Sequence, residues 1–169
     1  MPVHRLNHAV LYVSDVDRSV AFYRDALGFR TVMSFPGAAF LQAPGSTNDH
    51  DLGLFQLSPA AGASQAGRST VGLYHLAWEV DTLAELERLA GVLTEAGALV
   101  GASDHGTTKS LYAKDPDGLE FEVVWIIPAD LLDESARSGG PAPRPLDLAK
   151  EKARYGADTR GGVGISVPA

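Results

Sequence analysis

The sequence predicts an α+β fold made of two βαβββ modules, and three observations carry that expectation. LNHAVLYVSDV and LYHLAWEVDTL align without gaps, each with Leu, then His two places on, then Val five places after the His. Each is followed by one amphipathic helical pattern and three short strand patterns. A stretch of small, polar and glycine residues, 58–70, separates the two runs. Self-similarity on this scale marks a structural repeat whose copies bury surface against one another. We expect modules over about 5–57 and 72–127, together a domain over 1–127. They would share a curved mixed sheet around a cleft, with helices on its outer face. Residues 128–169 do not repeat and form a C-terminal extension that could wrap the domain, reach a partner or stay mobile.

The elements follow in order. Residues 6–13, LNHAVLYV, are rich in β-formers. In SDVDRSVAFYRDALGF, Ser14 and Asp17 have capping-box spacing, and Val16, Val20, Tyr23 and Leu27 recur on one helical face. Gly28 suits the left-handed position that closes a helix. Strands are expected near 29–34, 38–43 and 51–57. After the linker at 58–70, residues 73–80, LYHLAWEV, restart the pattern. Thr82 and Glu85 form a second capping box, Leu83, Leu86, Leu89 and Leu93 an apolar face, and Gly97 the stop. Strands follow near 98–102, 109–114 and 119–127, the last after DPDG at 115–118, a type I turn signature. In the tail, SGGPAPRP reads as a linker and LDLAKEKARYG as a short helix.

Bulk chemistry narrows the function. The 169 residues are 45% hydrophobic and 21% charged, enough for one domain with a real core. Net charge is 14 − 21 = −7, which argues against nucleic acid as a partner, since phosphate binding needs clustered Lys and Arg. There are no cysteines, so thiolate nucleophiles, disulfides and cysteine-based metal sites are excluded. Any metal must be held by His and carboxylate. The opening MPVHRLNHAVLYV has neither the long apolar run nor the cleavage site of a signal peptide, and no apolar stretch is long enough to cross a membrane. The expected location is the cytoplasm.

Strand alternation then sorts the polar residues. His8 shares a face with Val10 and Tyr12, and His75 with Ala77 and Glu79. The opposite faces, Ala9, Leu11 and Val13 in one copy and Leu76, Trp78 and Val80 in the other, suit helix packing. In LEFEVVW, Phe121, Val123 and Trp125 form the apolar face, and Glu120 and Glu122 lie opposite. A carboxylate within an apolar strand is costly to bury unless paired or metal-bound. A lone strand histidine is ordinarily structural and a lone strand glutamate ordinarily solvated. Two repeat-equivalent histidines and a glutamate on inner faces instead make a 2-His-1-carboxylate set, which leaves coordination positions open and suits non-haem Fe(II).

The two βαβββ copies, the paired histidines and DPDGLEFE resemble the vicinal oxygen chelate superfamily over roughly residues 5–127. That group includes glyoxalases, extradiol ring-cleaving dioxygenases, epimerases and antibiotic-resistance binding proteins. The resemblance implies that His8, His75 and Glu122 are metal ligands. Glyoxalase-like members bring a fourth ligand from the last strand of the first module. In DLGLFQL the mid-strand polar residue is Gln56, and no carboxylate lies within that strand. In NDHDLGLFQL, His50 resembles the histidine that extradiol dioxygenases carry at the start of that strand, near the metal but not bound to it. In DHGTTKSLYAKDPDG, His105 and Tyr112 resemble the histidine and tyrosine that flank the diol.

The resemblance therefore implies an extradiol dioxygenase that opens a catechol-type aromatic diol with O2 at Fe(II), Mn(II) accepting the same ligands. His50 would take and return a proton, Tyr112 would bond a substrate oxygen, and His105 would orient the substrate. Val10, Tyr12, Leu54 and Ala77 would line the pocket. Asp104 would shape its loop, and His4 has no assigned role. A homo-oligomer, dimer or larger, is expected. The rival readings are a glyoxalase, isomerase or lyase using another divalent metal, and a metal-free small-molecule (antibiotic) binding protein.

Overall fold

Strand, helix and three further strands follow one another twice along the chain. In the computed structural model, which describes residues 2–3, 5–65, 69–137 and 142–168, the first run is β1 (Ala9–Val13), α1 (Val16–Leu27), β2 (Arg30–Phe35), β3 (Ala38–Gln42) and β4 (Leu52–Gln56). The second is β5 (Leu76–Glu79), α2 (Leu83–Glu95), β6 (Leu99–Asp104), β7 (Thr108–Lys114) and β8 (Glu120–Ile126). Hydrogen bonding divides the strands into two mixed sheets, one per module, with orders β1-β4-β3-β2 and β5-β8-β7-β6. In each, the first and last strands pair in parallel and the others antiparallel. Even the irregularities repeat: the register shifts between Thr31 and Met33 in one module and between Leu99 and Gly101 in the other. The α+β class and the paired βαβββ architecture are thus those the sequence predicts.

The chain groups into two compact units, Met1–Gln65 with Asp115–Gly118, and Ala66–Lys114 with Leu119–Ala169. Part of the linker at 58–70 (residues 66–68), part of SGGPAPRP (residues 138–141) and His4 lie outside the described residues.

In the first unit the buried helix face is Val16, Ser19, Tyr23 and Ala26, one step round from the expected stripe. Small Ser19 and Ala26 let the helix settle onto the sheet, while Val20 and Leu27 flank the contact half-buried. The N-cap is Asp15, whose carboxylate accepts from Arg18 N–H at 2.9 Å, and not Ser14. Ser14 instead bonds Asp117 of the DPDG turn through both backbone N–H and hydroxyl. Gly28 closes the helix at φ 74°, as expected. Leu11, Val13, Leu41, Leu52 and Leu54 complete this core.

In the second unit α2 buries Leu83, Leu86, Leu89 and Leu93, the face the spacing predicts. Thr82 Oγ1 accepts from Glu85 N–H at 3.1 Å, but the Glu85 carboxylate does not reach back and pairs with Arg88 instead. Phe121, Val123 and Trp125 of β8 pack beneath the helix side, each at most 2% exposed. The tail belongs to this unit. Arg144–Pro145, read from sequence as linker, forms a strand β9 on β6. The helix α3 (Glu134–Arg137) precedes it, and α4 (Leu148–Tyr155), as expected a helix, packs on α2. Among the described residues no helix is long and apolar enough to cross a membrane.

Candidate metal and substrate site

Both repeat histidines sit one residue before their strands, since β1 begins at Ala9 and β5 at Leu76, shorter than the sequence suggests. In the first unit alternation holds as expected. Leu11 and Val13 are buried while Val10 and Tyr12 on the His8 side are 50% and 69% exposed. His8 donates through Nδ1 to Asn7 Oδ1 at 2.8 Å, since an amide oxygen only accepts. In that tautomer the Nε2 lone pair is the one that could ligate a metal.

His50 lies beside it, its ring centroid 4.4 Å from His8 and 5.1 Å from Phe40. Its side chain is 17% exposed, and its Nδ1 donates to Asp49 at 3.0 Å. A carboxylate can only accept, so Nε2 is the basic nitrogen. The hydrogen bonds from His50, backbone first, hold the Asp49 carboxyl below its ordinary value.

The two aspartates that flank His50 differ. Asp51 is buried and accepts from Ala43 N–H, Ser46 Oγ and Asn48 Nδ2 at 2.7–2.8 Å. Asn48 also donates to the carbonyl of Asn7, next to His8. Asp51 and Asn48 thus hold the loop that carries His50 and tie it to the backbone beside His8, and the sequence reading missed them. The available signal was the Ser46, Asn48, Asp51 spacing, residue types that bond nearby backbone in loops.

Two pocket expectations change here. Leu54 is fully buried on the helix side, and Gly53 and Phe55 occupy the His8 side of β4 instead. Gln56 Oε1 accepts from Val16 N–H at 3.1 Å, so it caps α1.

The second unit holds the other polar set. Register places Ala77, Glu122, Tyr112 and Gly101 in one row across β5, β8, β7 and β6. His75 Nε2 lies 3.2 Å from Glu122 Oε2. Two ligand atoms bound at about 2.1 Å and at right angles on one ion stand about 3 Å apart, so this pair has the spacing of neighbouring ligands. Among the described residues the buried His75 Nδ1 has no hydrogen-bond partner, and the ring's polar contact is the one from Nε2 to Glu122. The donor chemistry and spacing fit a divalent cation.

Tyr112 OH lies 2.8 Å from His105 Nε2 and 3.5 Å from Glu122 Oε1. Burial, then the Glu122 charge, push the phenol above its ordinary value and keep it a donor. His105 itself is exposed, while Asp104 and Gly106 on either side are buried. Among the described residues no group of three or more His, Asp and Glu is arranged as a metal cluster. The polar sets are His8 with His50 in one unit, and His75, Glu122, Tyr112 and His105 in the other.

Two four-stranded βαβββ repeats, each with a histidine leading its first strand, define a class of fold. The chain belongs to the glyoxalase/bleomycin resistance protein/dioxygenase superfamily, whose sequence model matches residues 5–123. It is similar to biphenyl-2,3-diol 1,2-dioxygenase 3 of Rhodococcus globerulus, 34% identical over 86% of this chain and 80% of that one. It is 31% identical to the catechol-2,3-dioxygenase of Bacillus subtilis (strain 168) over 70% of this chain, spanning only 40% of that protein. Lactoylglutathione lyase of Salmonella typhimurium is 29% identical over 71% of this chain and 91% of its own. Among solved structures, a glyoxylase/bleomycin resistance protein/dioxygenase domain from Frankia sp. EAN1pec has the same fold, with TM-score 0.61 and 22% identity over 73% of this chain and 92% of that one.

Proposed function

We propose that this chain is an extradiol dioxygenase that cleaves the ring of a catechol-type diol beside its hydroxyls, using O2 and Fe(II) or Mn(II). The observation that carries the reading is the row in the second sheet. One imidazole, one carboxylate and one phenol from His75, Glu122 and Tyr112 gather there, and the first module has only Gly53 where the second has Glu122. A single carboxylate leaves coordination positions for a bidentate diol and O2. The similarity to two proteins named as dioxygenases supports the same reading.

On this proposal His8, His75 and Glu122 hold the metal, which supplies a redox-active Lewis acid that overcomes the spin barrier between O2 and a closed-shell diol. His50 accepts a hydroxyl proton of the diol through Nε2, the nitrogen that Asp49 leaves basic, and later returns it. Tyr112 donates to a substrate oxygen, and its raised pKa keeps the proton available. His105 orients the substrate and the Tyr112 hydroxyl. Apolar Val10, Tyr12 and Phe55 suit an aromatic ring. The substrate and O2 are the only small-molecule partners this chemistry needs, and a homo-oligomer in the cytoplasm remains part of the proposal.

The similarity to a lactoylglutathione lyase over most of that enzyme's length favours a second reading, a metal-dependent lyase or isomerase. Purification without oxygen, loading with Fe(II) and oxygen-uptake assays over a catechol panel separate the two. The dioxygenase consumes oxygen and forms a yellow ring-opened product. A metal-replete protein that consumes none, and isomerises a hemithioacetal under argon, is the lyase.

A further inference from the structure

Lys109 is 1% exposed, in the strand β7 that carries Tyr112. It lies on the helix-covered face, opposite Trp125 of β8. An ammonium is costly to bury unless partners compensate its charge. Its Nζ donates to Asp104 Oδ1 at 2.5 Å and to the Gly106 carbonyl at 3.2 Å, and lies 3.1 Å from Glu151 Oε2. Glu151 is also buried, and it comes from α4 of the tail.

These contacts converge on one turn. Asp104 Oδ1 accepts from Gly106 N–H at 2.8 Å, and Asp104 Oδ2 accepts from Arg144 of β9 at 2.9 Å. Gly106 has φ 82°, and a Cβ there would lie 2.5 Å from the carbonyl oxygen of Ala136 in α3. His105 N–H donates to Thr108 O at 3.0 Å and closes the turn. Two tail elements, α3 and β9, therefore meet residues 104–106 directly, and α4 reaches them through Lys109. His105 alone points outward, to Tyr112.

We infer that the C-terminal segment is a positioning element for the substrate site, in which Glu151 acts through Lys109 and Asp104 to set the His105–Tyr112 pair. The role assigned to that pair rests on the dioxygenase reading, but the coupling from Glu151 to His105 does not. The coupling is one of charge and geometry. Without the Glu151 charge, Lys109 turns wholly to Asp104 and Gly106, and the turn re-seats. Glu151, Lys109, Asp104 and Arg144 touch no substrate and are positioning residues.

The test uses the full chain with diamagnetic Zn(II) added in place of iron, and reads the His105 imidazole nitrogen shifts by NMR. Steady-state kinetics on the Fe(II)-loaded protein run beside it. Glu151→Gln is expected to move the His105 resonances and lower kcat at least about tenfold with KM changed less than threefold, and Glu151→Asp to restore part of both. Lys152→Ala, on the same helix but paired with Glu87, is expected to leave both unchanged. If Glu151→Gln does not fold, Arg144→Gln, at a half-exposed partner of Asp104, carries the same expectation. Wild-type shifts and wild-type kinetics in the folded variant overturn the inference. Shifted resonances in a chain with no ring-cleaving activity instead defeat the dioxygenase reading and leave the positioning intact.

Discussion

Glu122 in β8 and Gly53 in β4 occupy the same register position of their modules, Glu122 opposite Ala77 of β5 and Gly53 opposite Val10 of β1. The repeat thus carries a carboxylate in one copy and no side chain in the other. The three atoms nearest a Cβ built at Gly53 belong to the side chains of Val10 and Phe40, at 3.4–3.6 Å, an ordinary contact distance. Gly53→Glu is therefore expected to fold and bind a divalent metal at least as tightly. It should lose ring cleavage by at least about tenfold, because an added carboxylate competes for the open positions. Calorimetric metal titration and oxygen uptake check the pair of effects.

His75→Ala removes the imidazole that faces Glu122, and Tyr112→Phe removes only a hydroxyl. The first is expected to weaken metal binding more than about 100-fold, beyond the effect of losing an outer partner. The second should keep the metal and lower kcat about 10- to 1,000-fold. Metal analysis after dialysis, with kinetics on the same samples, distinguishes them. Equal metal content in wild type and His75→Ala would count against His75 as a ligand.

His50→Ala is expected to keep metal and fold while turnover falls about 100- to 10,000-fold, the span of a lost acid–base group. Asp49→Asn should cost less, since it only relaxes the tautomer preference of a ring still packed on Phe40 and His8. Steady-state kinetics of the three proteins, with metal content measured on the same samples, check this.

Tyr23 is 2% exposed, and burial, then the nearby Asp115, raise its pKa well above 10.0. A raised acid keeps its proton in the folded chain and gives it up on unfolding. Its contribution to stability is complete below about pH 10 and is lost as pH rises beyond that. Urea midpoints are expected to fall above pH 10, and Tyr23→Phe should flatten that fall. An unchanged alkaline limb in the variant would place its origin elsewhere.

What the sequence discloses depends on the range of the interaction. The α2 face reads correctly because four leucines at helical spacing leave one packing solution. The α1 face is read one step off because large apolar residues draw the eye, whereas the sheet accepts small Ser19 and Ala26. His8 and His75 stand out through the repeat, Glu122 through strand alternation in LEFEVVW, and Tyr112 only through the resemblance of its segment to extradiol dioxygenases. Asp51 hides because it looks like half of an acidic pair around His50, and only the folded loop separates the buried carboxylate from the exposed Asp49. Lys109 hides because its partner Glu151 lies in a tail with no repeat to predict it. A two-residue strand such as β9 has no pattern of its own and exists only because β6 offers an edge.

The central claim is tested most directly by oxygen stoichiometry. The Fe(II)-loaded chain is mixed with a catechol in a closed cell, and O2 consumed is compared with ring-opened product formed. The account predicts one O2 per product, no product under argon, and neither oxygen uptake nor product in Glu122→Ala. Metal-dependent turnover that proceeds equally under argon would contradict it.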